Sequence, residues 1–373
     1  MLVEIVGKFY DNHSLSIVNR YVAKELSKHT DVVVSPIDSH DHSNNVFKED
    51  ISLIESLKPK RENTTSPDVQ LRHSYPPMWR WPSNQKTKVV YIQPWEFSKV
   101  PFEWQYKFET FADALITPST WASNVFEEGG LNPQRIFTIA NGYNPDIFYP
   151  KPEFKPKEEY VFLFVGCDQY RKGFDLLIKA WEQCFSNKDK VHLIVKDTPK
   201  VYGKTNLQEN IIKLQYNKQV GKITYIDEDY SESQMAELYN SANVIVHPYR
   251  GEGFGMPIQE AMACGAIPLV TSGGATEDFV DQYKINSKAI VVDINNIFAG
   301  KPGDSFNRMG AHTSVLEPDI EHLKSQMIAL YKEKKHINKI SSKIKSWESI
   351  GMEYFKALSM VHEYPSVKRI NGN

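Results

Sequence analysis

Residues 247–274 read HPYRGEGFGMPIQEAMACGAIPLVTSGG and place two carboxylates, Glu252 and Glu260, eight positions apart. Gly251, Gly253 and Gly255 remove side chains from one edge of the loop and admit positive φ, so a bulky anion could touch bare N–H groups. Pro257 suits a first helical position, where its missing N–H would be unpaired anyway, and Gly265 suits the helix end. The start of that helix would point unbonded donors and a positive dipole end at a ligand, which fits a diphosphate. Glu260, expected in the first turn, can accept two hydrogen bonds from neighbouring hydroxyls such as the diol of a ribose. Glu252, in the loop, would face the other end of the ligand. One acid for ribose and one for a sugar, with diphosphate between them, describe a sugar nucleotide. A tight glycine turn with both acids capping the helix would use the same residues without a ligand. The two acids together with Pro257 and EAMACG are more specific than the glycines alone.

These residues need a scaffold, and the chain is long enough to supply one. Its 373 residues suggest two domains. Hydrophobic residues make up 41% and charged residues 24%, an ordinary soluble composition. The net charge of −2 gives no global field to attract nucleic acid or acidic membrane. Cys167, Cys184 and Cys264 lack CxxC spacing and read as free thiols of a reducing compartment. No apolar run approaches the ~20 residues of a membrane span. The start, MLVEIVGKFYDNHS, lacks the form of a signal peptide and reads as a strand and glycine turn. The expected location is cytoplasmic, including the inner face of the membrane.

Strand-length apolar runs alternate with helical patterns, which implies parallel sheets covered by helices. LVEIV (2–6), a helix from Ile17 to Leu26, DVVVSPI (31–37), KVVYIQ (88–93), DALITPS (113–119) and RIFTIAN (135–141) form the first series. YPKPEFKPKEEY (149–160) breaks the pattern and reads as an interdomain linker. The rhythm resumes with VFLFVGC (161–167), VHLIVK (191–196), KITYID (222–227), ANVIVHP (242–248) and AIPLVT (266–271), with AIVVDI (289–294) a short last strand. SESQ at Ser231 offers a capping box. A helical tail, Leu323–Tyr364, follows. The expected organisation is α/β: residues 1–150 and 151–345 as two Rossmann-like doubly wound domains facing a cleft, and 346–373 as a helix returning to the first.

The stretch HPYRGEGFGMPIQEAMACGAIPLVTSGG resembles the E-x7-E signature of the retaining glycosyltransferases of group 1, or family four, which have the GT-B fold. VGCDQYRKGFDLLIKAW is similar to that family's phosphate-binding strand, loop and helix, and IANGYNPDIFYP resembles the segment leaving the first domain. The resemblance implies that Glu260 binds ribose, that Glu252 contacts the donor sugar, and that the backbone around Gly253, Phe254, Gly255 and Met256 meets the diphosphate or sugar. It also implies that Lys172 neutralises the leaving diphosphate, with Arg171 beside it a weaker candidate. Cys167 departs from the family, which commonly has arginine there; one cation fewer would stabilise the leaving group less. Lys196, ending VHLIVK, could supply that charge, although a solvated lysine explains it equally.

In such a fold the acceptor sits mainly on the first domain. GKFYDNHS (7–14) resembles the family's N-terminal glycine loop without its double glycine, making Gly7 a donor contact and His13 a candidate at the reaction centre; an exposed loop histidine is the alternative. Trp79, Trp81, Trp95, Trp104 and Trp121 accompany proline-rich turns and could stack on sugars, though each ring also suits a core. Arg72 and His73, read as loop residues, Trp95, and Glu96 at the end of KVVYIQ are the acceptor candidates, with Glu96 orienting the hydroxyl.

The resemblance implies transfer with retention, no cofactor and no metal, from a nucleotide-diphosphate sugar to a sugar, lipid-linked or other hydroxyl acceptor in glycan or glycoconjugate assembly. The acidic run 227–229 reads as loop rather than metal ligands. An epimerase of the same fold and a silent nucleotide-sugar-binding subunit are the alternatives. A dehydrogenase is disfavoured because no GxGxxG follows the first strand. The basic stretch 331–345, read as a helix, allows peripheral contact with anionic lipid, with a solvated helix face the preferred reading.

Overall fold

A computed structural model describes residues 1–39, 48–59, 65–155, 158–199, 207–216, 219–293, 312–335 and 341–364. The chain divides into two compact units: Met1–Gly142 with Asp293–Thr313 and Lys345–Asn373, and Tyr143–Val292 with Ser314–Ile344.

In the first unit, β1 (Leu2–Gly7), β2 (Asp31–Pro36), β3 (Val69–His73), β4 (Lys88–Ile92), β5 (Ala114–Thr117) and β6 (Ile136–Thr138) form a parallel sheet in the order β2-β1-β3-β4-β5-β6. Strand β4, KVVYI, is buried at every position, as a strand covered on both faces must be. The strand β3, VQLRH, differs from the loop expected around Arg72 and His73. Its polar residues mask the strand in sequence, but its pairing with β1, Val3 to Val69 through Gly7 to His73, fixes it inside the sheet. Helices α1 (Ser14–Leu26), α2 (Lys48–Leu57), α3 (Phe102–Phe111) and α4 (Thr120–Glu128) connect the strands.

The second unit contains β7 (Tyr160–Val165), β8 (Val191–Lys196), β9 (Lys222–Ile226), β10 (Val244–His247), β11 (Ile267–Thr271) and β12 (Lys284–Ile285), parallel and in the order β12-β11-β10-β7-β8-β9. The chain runs outward from β7 to β9, then crosses back to β10 on the other side of β7. The gap between the carboxyl ends of β7 and β10 is therefore the switch point, where open α/β sheets bind ligands. Helices α5 (Phe174–Cys184), α6 (Leu207–Tyr216), α7 (Glu232–Asn240) and α8 (Met256–Ala263) link these strands. Ser231 caps α7 through the expected capping box with Gln234. Residues 289–293 of the AIVVDI run lie in β13 (Ser287–Asp293), Ile294 being outside the described residues, and β13 pairs with β14 (His312–Pro318) in a separate two-stranded sheet.

The segment 149–160 belongs to the second unit. Its backbone is tied to the end of α7: Lys151 N–H donates to the Asn240 side chain at 2.6 Å, and that side chain donates to the Tyr149 carbonyl at 3.0 Å. The helical tail is two helices rather than one, α9 (Ile320–Glu333) and α10 (Trp347–Glu363). Helix α9 stops where Lys334 takes a left-handed conformation at φ 49°. Residues 341–345 are not helical, and 336–340 lie outside the described residues. The basic helix expected over 331–345 is thus not continuous. Helix α10 packs on α1 within the first unit, Trp347 stacking on Tyr21 with centroids 5.0 Å apart. Among the described residues no helix is long and apolar enough to cross a membrane.

Candidate functional site

At the switch point β7 leads into Gly166 and buried Cys167, followed by a single helical turn, Tyr170–Lys172. Gly173 then takes a left-handed conformation at φ 70° and starts α5. A Cβ there would lie 1.8 Å from the Pro248 carbonyl oxygen, so the turn after β7 rests directly on the backbone after β10. Two main-chain bonds fasten this contact, from Arg250 N–H at 2.7 Å and Gly251 N–H at 3.2 Å to the Arg171 carbonyl.

This contact delivers two cations to one carboxylate. The Lys172 ammonium donates to Glu252 Oε2, and Arg171 lies 3.9 Å from the same oxygen. Neighbouring side chains need not face the same way, yet here they do. Glu252 Oε1 accepts from Gly253 N–H at 3.2 Å. Burial alone would raise the Glu252 carboxyl, but Lys172, Arg171 and the nearby His247 outweigh it and bring it down to about 2.

Gly255, at φ 98°, starts α8, while Gly251 and Gly253 do not use the positive φ open to them. Met256 is the first helical residue and Pro257 the second. Among the described residues, the N–H groups of Phe254, Gly255 and Met256 donate to no protein acceptor. Phe254 is buried against Phe279, with centroids 5.1 Å apart. Cys264 and left-handed Gly265 end the helix.

Glu260 is one turn further into α8 than expected, since the helix has no acid in its first turn. It therefore gains little from the helix dipole, which fades beyond the first turn. Its Oε2 instead accepts a 2.9 Å bond from the buried Tyr239 hydroxyl on α7. Burial, with Glu232 adding repulsion, pushes the Glu260 carboxyl up to about 8.

Two residues of this region were not singled out in the sequence. Arg250 is 3% exposed; it binds Asp175 at 2.7 and 2.8 Å, Glu317 at 2.5 Å and the Tyr170 carbonyl at 2.8 Å. Its guanidinium also lies over the Tyr170 ring, 3.9 Å from the centroid. Burial works against its charge, but Asp175 and Glu317 hold the proton on. It thereby locks the Lys172 turn to the loop that carries Glu252 and to β14. His247 stacks on Phe164 at 5.0 Å and lies 3.1 Å from the Val165 carbonyl through Nε2. A carbonyl only accepts, so the proton sits on Nε2. Burial, with Lys172 adding repulsion, holds this imidazole down to about 4. The signal was an arginine directly before the glycine loop and a histidine ending an apolar strand, both common without function.

Lys196 is not brought to Glu252. Although its backbone neighbours Gly166, the buried ammonium donates to the Asp197 carbonyl at 2.6 Å and lies 5.3 Å from the Tyr230 ring. Its electrostatic partners are Asp229, Asp197, Glu228 and Asp227, so the acidic run 227–229 surrounds this lysine. Among the described residues no three His, Cys, Asp or Glu side chains gather as metal ligands would.

The first-unit candidates are scattered among roles. Gly7 ends β1, where a Cβ would meet Asn19 and the His73 carbonyl at 2.4 Å. His13 caps α1, its Nδ1 accepting from Leu15 N–H at 3.1 Å. His73 is buried beside it, bonded to Asn19 at 2.9 Å, and desolvation holds it down to about 3. Arg72 is no loop residue: it is buried and donates to the carbonyls of Met78 and Arg80 and to the Tyr91 hydroxyl. Trp95 is 1% exposed, packed on Trp104 and Phe97, and donates to the Lys99 carbonyl at 2.9 Å. It is core, not platform. Glu96 is half-buried beyond β4, while Trp81 is exposed against Phe111.

Residues 146–299 match the family model described as glycosyl transferases group 1. Through this segment the chain is similar to the group 1 glycosyl transferases, and its two parallel sheets have the GT-B fold of the solved structures it aligns with. Among curated proteins it is 23% identical over 170 residues to the phosphatidylinositol N-acetylglucosaminyltransferase gpi3 subunit of Schizosaccharomyces pombe, covering 45% of this chain and 36% of that one. It is 26% identical over 180 residues to D-inositol 3-phosphate glycosyltransferase 1 of Catenulispora acidiphila, covering 45% of this chain and 43% of that one. The chain thus spans less than half the length of either relative. Among solved structures, Anabaena HepE in complex with UDP and glucose aligns with TM-score 0.59 at 14% identity, covering 97% of this chain and 98% of that one.

Proposed function

We propose that this chain transfers a sugar from a nucleoside-diphosphate sugar to an acceptor hydroxyl, with retention at the anomeric carbon and without a metal. The observation that carries the reading is the meeting of Lys172, Arg171 and Glu252 beside the start of α8, where three consecutive N–H groups have no acceptor among the described residues. In this reading the diphosphate takes the N–H groups and Lys172, which lets go of Glu252; the freed carboxylate then accepts from a sugar hydroxyl. Glu260 holds the ribose. The bond from the anomeric carbon to the diphosphate breaks, and the acceptor oxygen bonds to that carbon on the same face. The hydroxyl proton passes to the leaving phosphate oxygen, so no protein base is required. What the chain supplies is placement and positive charge at the leaving group.

Sugar, lipid-linked and other hydroxyl acceptors fit the reading, and its setting is glycan or glycoconjugate assembly in the cytoplasm or at the membrane's inner face. The test is a thermal-shift screen of nucleoside diphosphates and their sugars, followed by product analysis. Bound ligand raises the melting temperature by mass action. Transfer that keeps the donor's anomeric configuration and persists in EDTA supports the proposal. Conversion of donor alone into an epimer, without acceptor, contradicts it.

A further inference from the structure

Glu260 stands one turn into α8, too far in for the unbonded N–H groups of the helix start to orient it. What fixes its carboxylate is on another helix. The Tyr239 hydroxyl reaches from α7 to Oε2 at 2.9 Å, and the Tyr239 ring is itself held against Phe148 at 5.9 Å. Asn240, the next residue, binds the 149–151 backbone and the Ala236 carbonyl, so the end of α7 is anchored on both sides. Oε1 of Glu260 accepts no hydrogen bond among the described residues.

We infer that Tyr239 is a positioning residue: by occupying Oε2 it turns the Glu260 carboxylate so that Oε1 meets the ribose diol of the nucleotide. This rests on the reading that Glu260 binds ribose. It assigns the nucleotide's sugar recognition to a pair of residues on two helices. Tyr239 has no donor beyond its one hydroxyl proton, and Oε2 receives it. The bond also favours the ionised carboxylate, which is the form that accepts from both ribose hydroxyls. The other titratable groups around the pair are Glu232 on α7 and Cys264 at the end of α8, and Cys264 in turn faces Lys155 and Lys151 in the segment before β7.

Calorimetry on the full chain tests this with UDP, GDP and ADP and their 2′,3′-dideoxy counterparts, across pH 6 to 9. The ratio of ribose to dideoxyribose affinity cancels the titration of the diphosphate itself. For whichever nucleotide binds, the wild type should favour ribose, increasingly so as pH rises through the Glu260 ionisation. Tyr239→Phe keeps the ring and should lower ribose affinity about tenfold, as loss of a hydrogen bond to a charged group does. It should leave dideoxy affinity within about twofold and move the pH limb of the ratio upward; a purely structural role would weaken both ligands alike. Glu232→Gln should move the same limb downward, and this second variant serves if Tyr239→Phe fails to fold. In Glu260→Gln the ratio should vanish and the tyrosine substitution should fall silent. A ratio and limb unmoved by Tyr239→Phe overturn the inference alone. A wild type that does not distinguish ribose from dideoxyribose overturns the reading of Glu260 beneath it.

Discussion

The Lys172 ammonium is bonded to Glu252 across the ends of β7 and β10, and both side chains are little exposed, at 12% and 11%. The pair offsets one of the two cations that face Glu252 and sets two prospective ligand groups against each other. Any anion that recruits Lys172 must first break this bond. Substituting either member therefore separates binding from transfer.

Glu252→Gln removes the competitor for Lys172 without removing the lysine. Free nucleoside diphosphate should bind severalfold more tightly, while sugar transfer slows, because the freed carboxylate is no longer there to take a sugar hydroxyl. Lys172→Ala should lower kcat/KM by roughly 10²-fold or more, the scale of losing a preorganised charge at a developing anion. Calorimetry with the diphosphate and steady-state rates with donor read the two effects. Weaker diphosphate binding by Glu252→Gln contradicts the competition.

Lys196→Ala should leave turnover within a few-fold and lower the melting temperature instead. Its ammonium serves the Asp197 carbonyl and the acids at 227–229. If this variant loses rate as Lys172→Ala does, Lys196 is the missing cation at Cys167 after all.

Arg250→Ala should destabilise the fold by about 2 kcal/mol or more, read from urea denaturation. That is less than the ~3–5 kcal/mol of breaking a wholly buried ion pair, since Asp175 is half exposed and keeps its solvation. Arg250→Lys should recover only part, because one ammonium cannot make the bidentate bonds to Asp175.

Stability should pass through opposing pH slopes. His73 and His247 are held down to about 3 and about 4, so below the usual 6.5 the unfolded chain takes up protons that the folded chain does not; their contribution is full above about 6.5 and is lost as pH falls. Glu260 is held up to about 8, so the folded chain keeps a proton that the unfolded chain releases above about 4.5; its contribution is lost as pH rises to about 8. Denaturation midpoints at pH 5, 6.5 and 8 should show the alkaline decline flattened in Glu260→Gln. Parallel profiles for the two proteins contradict the assignment.

Much of the second unit was legible because its chemistry is local in sequence. Strand-length runs placed β7 and β10, and the spacing of Glu252 and Glu260 located the loop and helix between β10 and β11. The bond between Lys172 and Glu252 was not legible, because it depends on β7 and β10 lying side by side although β8 and β9 separate them in the chain. Other features depend on pairing that no local pattern carries. Strand β3 was hidden because Gln70, Arg72 and His73 look like a loop until β1 fixes their register. Trp95 and Trp81 are alike in sequence, and only packing sends one into the core and the other to the surface. Tyr239 is 21 residues from Glu260, an ordinary helix tyrosine until its hydroxyl is seen to end on the carboxylate.

The touching backbones at Gly173 and Pro248 limit how this molecule can diversify. A methyl group at 173 would collide with main chain, which cannot swing aside as a side-chain tip can. Lengthening either connection would pull Lys172 from its place. A change in what this site holds must therefore leave the junction as it is and act at its periphery instead.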